Sequence, residues 1–281
     1  MKVIDWRLRP PFKSFNVNKI FEAAQNNPDN PHYSEAARKF DMDLMIKEMD
    51  EANVVLGVAP YRYGQDMSDM DELVGTYKDR FVTLAHIDPY ADDPVGDIDK
   101  YIVNGNSVGA IIEPGQIFIK RPVPADDRIL WPIYEKCQAE NIVLTITFGG
   151  LYCDSLEFYE PKYIDHVAKM FPDLKIVLTH GGWPYITQIC HICYQRPNVY
   201  LSPDFYLMPD NPGHQDYVTA ANHFLAKKII FGSTYPGKTL KYAVEAHLKS
   251  GIKEEILPDI MYHNAARLLG LEEAEKTKTV V

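Results

Sequence analysis

Two arginines, Arg7 and Arg9, stand two residues apart in the segment IDWRLR near the start of the chain. The segment runs into two prolines and is typical of a short strand over residues 4–9. Because side chains two apart on a strand point to the same face, we expect the two guanidinium groups to lie together. Guanidinium groups bind carboxylates through paired hydrogen bonds. The two arginines therefore predict an anion clamp.

A structural ion network is the alternative explanation for these arginines. A buried cation needs a partner, because an unpaired buried charge costs several kcal/mol. Asp5, Glu113 and Asp204 are the carboxylates that we expect near the same interior. Arg62, in the PYRYG segment, adds positive charge to the same rim in a chain whose net charge is -10. This concentration favours a clamp for a substrate that carries one or more carboxylates.

Eight apolar segments, which alternate with helical patterns, must position these side chains. The strands are predicted over residues 4–9, 53–60, 81–88, 107–115, 141–150, 174–182, 198–204 and 227–236. Continuous apolar strands are typical of strands that are covered on both sides. Eight such units predict an α/β fold, a single-domain (β/α)8 TIM barrel over residues 1–281 with a frayed tail at about 272–281. An open doubly wound sheet is the alternative, but no Gly-rich phosphate loop follows the first strand.

The carboxyl ends of the strands are where chemistry occurs in such a barrel. The strand-end residues are Arg7, Arg9, Tyr61, Arg62, His86, Asp88, Glu113, Thr147, His180, Asp204, Thr234 and Tyr235. Glu113 is equally suited to act as a base or as a salt-bridge partner for the arginines. Tyr235 is placed to donate a hydrogen bond to a developing oxyanion.

Composition excludes several other classes of protein. The acidic balance argues against nucleic acid as a partner, because phosphate binding needs a basic surface. The apolar runs are too short to span a membrane, and charged residues interrupt any signal-peptide core at the start. The four cysteines show no disulfide framework. We therefore expect a cytoplasmic protein with a small anionic metabolite as its partner.

Five segments carry a resemblance to a known family. They are VIDWRLR, IVLTHGGWPY, NVYLSPD, FGSTYP and HNAARLLGL, and they follow one another in the family's order. The chain resembles the amidohydrolase superfamily, specifically the amidohydrolase-related branch with its aminocarboxymuconate-semialdehyde decarboxylase-like and lactonase-like members. The resemblance implies a TIM barrel, an enzyme that acts on a small molecule, and a possible homodimer.

The chain departs from this family at the positions that would hold a metal. The resemblance implies ligands from two first-strand histidines, a fifth-strand histidine and an eighth-strand aspartate. Arg7, Arg9, Thr147 and Thr234 stand at or near those positions. Arginine cannot give up its proton in a protein, so it cannot be a metal ligand. We therefore expect no metal cofactor, with the two arginines in the place of the divalent cation.

His180 is the family position that the chain keeps. By itself, a strand-end histidine is more often a core residue, but the match to a family catalytic position favours a general acid or base. Asp204 could orient His180, activate water or pair with an arginine. Glu113, His180 and Asp204 also form a candidate set for one divalent metal, as a minority alternative.

These residues leave several functions open. The first hypothesis is a metal-independent, lactonase-like hydrolase of a small carboxylated cyclic substrate, with His180, Asp204 and Glu113 as catalytic residues. Its substrate-binding residues are Arg7, Arg9, Arg62, Thr147, Thr234 and Tyr235. A decarboxylase or hydratase that acts on a similar acid is the second hypothesis, and an inactive binder of an anionic metabolite is a third.

Overall fold

The strands form one parallel sheet whose order follows the chain. The structure is a computed structural model and describes residues 1–12, 15, 32–61, 67–117 and 119–271. Within those residues the sheet has seven strands, each paired with the next. They are β1 (Val3–Asp5), β2 (Val54–Tyr61), β3 (Phe81–His86), β4 (Ser107–Ile112), β5 (Val143–Thr147), β6 (Ile176–Thr179) and β7 (Val199–Ser202). The predicted tail at 272–281 lies outside the described residues.

A closing segment, residues 228–235, occupies the place of an eighth strand. Ile229 forms an isolated parallel bridge with Leu201 of β7, and Tyr235 forms another with Leu8, just after β1. The closing segment therefore joins the last strand to the first and turns the curled sheet into a barrel. The predicted TIM-barrel fold is confirmed.

Most of the predicted strands extend further than the observed ones, and at the first and the last of them the buried Asp5 carboxylate contributes to the difference. Asp5 Oδ1 accepts the main-chain N–H groups of Arg7 (3.0 Å) and Ser233 (2.9 Å). Those groups are therefore lost to the strand ladder, so β1 ends at Asp5 and Arg7 and Arg9 follow it. In the closing segment, Thr234 has a φ of 61°, a left-handed conformation that interrupts extended backbone. The predicted strand over 227–236 is reduced to isolated bridges.

The barrel interior is filled by side chains from alternate strand positions. Its buried members from the strands and the adjoining segments are Ile4, Trp6, Val58, Leu84, Ile111, Val143, Val177 and Ile230. Trp6 is fully enclosed, and its Nε1 donates to Thr145 Oγ1 of β5 over 3.1 Å. The indole thus fills the barrel just below the carboxyl end of β5, so the site above it has a solid floor.

The helices form an outer layer around the sheet. They are α1 (Glu35–Lys39), α2 (Met42–Glu51), α3 (Met67–Thr76), α4 (Pro94–Ile98), α5 (Trp131–Ala139), α6 (Lys162–Met170), α7 (Ile186–Gln195), α8 (His214–Ala220), α9 (Leu240–Leu248) and α10 (Asn264–Leu268). Short 3-10 turns follow β6 and β7 at His180–Gly182 and Asp204–Leu207. None of the helices in the described part of the chain is long and apolar enough to cross a bilayer.

The segment before β2 forms two helices, α1 and α2, because the chain turns sharply between them. Phe40 adopts a left-handed conformation with a φ of 53°, and Asp41 then begins α2 as its N-cap. The Asp41 side chain accepts the N–H of Leu44 over 2.9 Å. Aspartate favours this capping position over a helix interior, because its side chain satisfies a main-chain donor that would otherwise have none.

Candidate active site

His180 lies directly after β6 and links two other predicted site residues. Its Nδ1 is 3.0 Å from Asp204 Oδ2, and its Nε2 is 3.4 Å from Arg7 Nη2. A guanidinium can only donate hydrogen bonds, so Nε2 accepts from Arg7. The ring proton of neutral His180 therefore lies on Nδ1, where it is donated to Asp204. This hydrogen-bonded series is called the Arg7–His180–Asp204 chain below.

Asp204 is held in place by several donors. Its carboxylate accepts the main-chain N–H groups of His180 (3.1 Å) and Phe205 (2.6 Å) in addition to the imidazole proton. Thr234 Oγ1 accepts from the same Phe205 N–H over 3.1 Å. Thr234 therefore lies next to Asp204 as a residue that positions the turn after β7.

Strained backbone is concentrated at these residues. His180, Asp204 and Thr234 have φ values of 64°, 46° and 61°, although none of them is glycine. A non-glycine residue in the left-handed region costs on the order of 1–3 kcal/mol and persists where the surroundings enforce it. The hydrogen bonds to Asp204 supply that enforcement. Strain at three neighbouring strand ends is typical of a functional site.

Arg7 is buried at 5% exposure, and its guanidinium is incompletely satisfied. Within the described residues, its Nε and Nη1 are buried and have no hydrogen-bond partner from the protein. No ion pair between described residues joins Arg7 to a carboxylate. In the alternative ion network, Asp5 and Asp204 would neutralise Arg7, but Asp5 binds main-chain N–H groups and Asp204 binds His180.

Glu113 is paired with His86 on another part of the barrel rim. His86 Nε2 lies 3.3 Å from Glu113 Oε2, and both side chains are largely buried. Glu113 follows β4 and His86 ends β3, so the pair is separated from His180 by the intervening strand β5. The structure thus places Glu113 in a second histidine–carboxylate pair rather than in the Arg7–His180–Asp204 chain.

Aromatic side chains cover one side of His180. The Tyr206 ring meets the imidazole edge-on at 6.1 Å, and the Trp183 ring stacks on Tyr206 at 5.0 Å. Gly150 passes so close that a Cβ atom there would lie 3.1 Å from His180 Cδ2. Burial raises the pKa of the Tyr206 phenol, which keeps it protonated as a donor at neutral pH. These residues fix the ring orientation of His180.

The other predicted binding residues are distributed unevenly. Thr147 ends β5 and is buried, with a hydroxyl that has no partner among the described residues. Arg9 is half-buried, and its N–H donates to the Tyr235 carbonyl over 3.3 Å. The Tyr235 hydroxyl contacts Ser34 Oγ at 2.6 Å, so it does not join the chain around His180. Arg62 lies outside the described residues.

The donor set does not fit a metal ion. Among the described residues, no group of three or more His, Cys, Asp or Glu side chains is arranged to hold one. The candidate set of Glu113, His180 and Asp204 is divided, since Glu113 pairs with His86. The first-strand ligand position belongs to Arg7, which cannot be a ligand.

Three buried polar residues of this region have roles that the sequence did not indicate. Asp5 accepts main-chain N–H groups of Arg7 and Ser233. Thr179 and Ser202 are the last residues of β6 and β7, and their hydroxyls lack a protein partner among the described residues. Threonine and serine at strand ends are common for reasons of propensity alone. The position of Thr179 immediately before His180 is the signal that could have identified it.

Asp5 is buried in a way that disfavours its charge. Burial raises its pKa to about 6, against hydrogen bonds from Ser233 and Arg7 that lower it, and nearby Asp204 raises it further. A carboxyl group whose pKa is higher in the folded state favours folding while it is protonated. This contribution is fully present below the unfolded-state pKa of 3.8 and is lost as pH rises through the folded-state pKa of about 6. Asp5 therefore opposes folding at neutral pH.

The change Asp5→Asn is expected to stabilise the protein increasingly as pH rises from 4 to 7. The asparagine oxygen keeps both main-chain hydrogen bonds, and the gain approaches about 3 kcal/mol at neutral pH. Urea unfolding of both proteins at several pH values checks this. The difference between the two proteins is the relevant quantity, because buried His247, whose pKa burial lowers to about 4, titrates in both. A difference that does not change with pH would contradict the prediction.

Comparison with known proteins places this barrel among related folds. An uncharacterized TIM-barrel protein from Bordetella bronchiseptica is 32% identical, with 96% of this chain and 99% of that chain covered and a TM-score of 0.87. A dihydroxybenzoic acid decarboxylase from Polaromonas, solved with bound manganese and the inhibitor 2-nitroresorcinol, is 16% identical with a TM-score of 0.70, covering 96% of this chain and 97% of that chain. A putative 2-pyrone-4,6-dicarboxylic acid hydrolase from Pseudomonas putida is 14% identical with a TM-score of 0.66, covering 96% and 98%.

A search of curated proteins finds no match. The amidohydrolase family model, by contrast, matches residues 4–271 and so extends from β1 to three residues beyond the final helix. That range contains the barrel, the Arg7–His180–Asp204 chain and the Glu113 pair. The chain therefore belongs to the amidohydrolase family.

Proposed function

We propose that this amidohydrolase-family enzyme is a metal-independent hydrolase that opens a small cyclic ester bearing a carboxylate. One observation carries the proposal: the buried Arg7 guanidinium contacts His180 through one nitrogen, and two of its nitrogens have no partner among the residues that the structure describes. A buried cation of this kind is stabilised by an anion, and a carboxylate is the group whose geometry suits a guanidinium.

The proposed reaction assigns a role to each residue of the Arg7–His180–Asp204 chain. Arg7 binds the substrate anion and stabilises the negative charge that develops on the ester carbonyl oxygen as water attacks the carbon. When the substrate anion draws Arg7 Nη2 away from His180, Nε2 accepts a proton from that water and later donates it to the ring oxygen as the carbon–oxygen bond breaks. Asp204 holds the imidazole in the required tautomer and stabilises its charged form. Lactone and water thus yield one hydroxy acid.

A carboxy-lyase is the second candidate, and the fold shared with a dihydroxybenzoic acid decarboxylase favours it. Arg7 would again hold the acid, and charged His180 would protonate the carbanion that remains after carbon dioxide leaves. The two reactions differ in their products rather than in the residues they need.

A paired substrate screen separates these candidates. Small lactones, with and without a carboxylate, and unsaturated or aromatic carboxylic acids are incubated with the enzyme. Ring opening is followed by proton release and carbon dioxide by a coupled assay. We expect ring opening of carboxylated lactones alone. Carbon dioxide release would support the lyase, and saturable binding of acids without any conversion would support a binding protein.

Removal of metal is expected to leave the enzyme unchanged. Elemental mass spectrometry of protein prepared without an affinity tag should find zinc and manganese far below stoichiometric amounts. Chelator should alter neither turnover nor the melting temperature, because Arg7 and Arg9, which cannot be metal ligands, stand at the two first-strand ligand positions. Stoichiometric metal that is lost together with melting temperature and activity would contradict the prediction.

A further inference from the structure

Three hydroxyl groups form a row at the carboxyl ends of adjacent strands. Thr147 of β5 is paired in register with Thr179 of β6, and Thr179 is paired with Ser202 of β7. Residues two positions earlier on these strands include Val177 and Tyr200, which belong to or pack on the interior cluster. Since side chains two apart share a face, the row faces the barrel interior. We call these three residues the hydroxyl row.

Every hydroxyl of the row is buried without a partner. Thr147, Thr179 and Ser202 have 2%, 0% and 0% exposure, and no described protein group bonds their side-chain oxygens. A buried hydroxyl left without a hydrogen bond costs about 1–3 kcal/mol. Thr145, two residues earlier on β5, shows the usual arrangement, because its hydroxyl oxygen accepts a hydrogen bond from Trp6 Nε1. The three unpartnered hydroxyls lie side by side above Trp6, which indicates a binding position for a ligand.

The row adjoins Arg7 at two points. An ideal Cβ at Gly232 would lie 2.9 Å from Ser202 Oγ and 3.0 Å from Arg7 Cβ, so both atoms border the same small space. At the other point, His180 directly follows Thr179 and contacts Arg7 Nη2. Ser202 Oγ therefore lies near the base of the Arg7 side chain, and Thr179 lies one residue before the imidazole that Arg7 contacts.

We infer that Thr179, Ser202 and Arg7 form a carboxylate-binding subsite, and that Thr147 binds a second oxygen of the same substrate. This inference rests on the proposed function and specifies its substrate. Neighbouring strands lie about 4.8 Å apart, a spacing at which two adjacent hydroxyls can donate to one carboxylate but the third cannot. Thr147 is thus left for an oxygen next to the carboxylate, such as a ring oxygen.

Charge favours a carboxylate over a phosphate in this subsite. One guanidinium balances one negative charge, whereas a phosphate dianion would add a charge beside Asp5 and Asp204. Those two carboxyls already interact, since Asp204 contributes to the raised pKa of Asp5. The substrate therefore presents a single carboxylate to this subsite, and the carbon that bears this carboxylate also bears an oxygen.

Two matched probes test this subsite. Cyclopentanecarboxylate and tetrahydrofuran-2-carboxylate have the same shape, and the second replaces one ring methylene with oxygen. Dissociation constants are measured by ligand-observed NMR for wild type, Thr147→Val, Thr179→Val, Ser202→Ala and Arg7→Met. We expect Thr179→Val and Ser202→Ala to weaken both probes about tenfold, and Thr147→Val to weaken the oxygen-bearing probe alone.

Melting temperatures distinguish this function from a structural role. The three variants remove buried hydroxyls that lack partners, so each should melt at or above the wild-type temperature. Thr83→Val is the matched control. Thr83 Oγ1 lies 3.1 Å from Ser107 Oγ, which begins β4 at the opposite end of the barrel. Its loss should lower the melting temperature and leave the binding of both probes unchanged.

The possible outcomes separate the inference from the proposed function. If the three hydroxyl variants bind both probes as wild type does while Arg7→Met binds neither, the subsite is wrong and the arginine clamp stands. If Arg7→Met also binds as wild type does, both are wrong. A wild-type protein that binds neither probe up to its solubility limit likewise overturns the subsite.

Discussion

Replacing Arg7 with methionine is expected to reduce turnover at least about 10³-fold while the protein becomes no less stable. The guanidinium is buried, contacts His180 and has two nitrogens without partners in the described structure. Methionine fills a similar volume but neither holds an anion nor stabilises a developing oxyanion. An apolar side chain in place of an incompletely paired buried charge is often neutral or stabilising by about 1–4 kcal/mol. Activity and stability should therefore change in opposite directions.

Two companion variants make the Arg7 result specific. Arg7→Lys keeps the charge but loses the planar fork, so its turnover should fall between those of wild type and Arg7→Met. Arg80→Met removes an arginine that pairs with Asp50 over 2.9 Å and donates to Val54 O at the start of β2. This second variant should lose stability and retain turnover. Steady-state kinetics with circular-dichroism melting measures all three, and full activity in Arg7→Met would refute the clamp.

Replacing Asp204 with asparagine should lower turnover by about 10³- to 10⁴-fold, by comparison with the orienting aspartate of serine proteases. Both carboxylate oxygens of Asp204 accept N–H donors, from Phe205 and from the main chain and ring of His180. In asparagine, the side-chain NH2 group would replace one of these oxygens and would face an N–H donor instead of accepting from it. The His180 ring would then lose its fixed tautomer, and the strained backbone would lose part of its support.

Stability distinguishes the Asp204 result from that of Arg7. Asp204→Asn is expected to lose about 1–3 kcal/mol of unfolding free energy, because a buried donor is left unsatisfied. Asp126→Asn is the control, since Asp126 pairs with His166 over 2.9 Å at a partly exposed position and has no contact with His180 among the described hydrogen bonds. The control should change turnover little. Wild-type turnover in Asp204→Asn, with an unchanged pH profile, would show that Asp204 does not orient the base.

Local pattern alone was sufficient for the architecture. Apolar runs alternating with helical patterns predicted the barrel, and seven of the eight predicted strands form one parallel sheet. The rule that strand ends carry chemistry then selected His180, Asp204 and Arg7, which the structure does bring together. These predictions succeeded because β-strand periodicity and strand order depend on neighbouring residues.

Contacts between distant residues decided the rest. Asp5 reaches Ser233, 228 positions away, and this hydrogen bond ends β1 early and interrupts the eighth strand. Arg7 meets His180 across 173 positions. A linear pattern does not say which carboxylate satisfies which donor. The described contacts give Asp5 main-chain donors, Asp204 the imidazole of His180 and Glu113 the imidazole of His86, which differs from both the ion-network alternative for Arg7 and the three-residue metal alternative.

The hydroxyl row also shows the difference between what local sequence pattern predicts and what tertiary contacts decide. The sequence predicted a binding role for Thr147, but Thr179 and Ser202 were indistinguishable from ordinary strand residues, because β-branched and small polar side chains are common at strand ends. Their significance lies in register, burial and the absence of protein partners among the described residues. The sequence by itself determined the family, the barrel and the residues at its mouth. Tertiary packing decided which of their polar atoms are satisfied by the protein and which remain for a substrate.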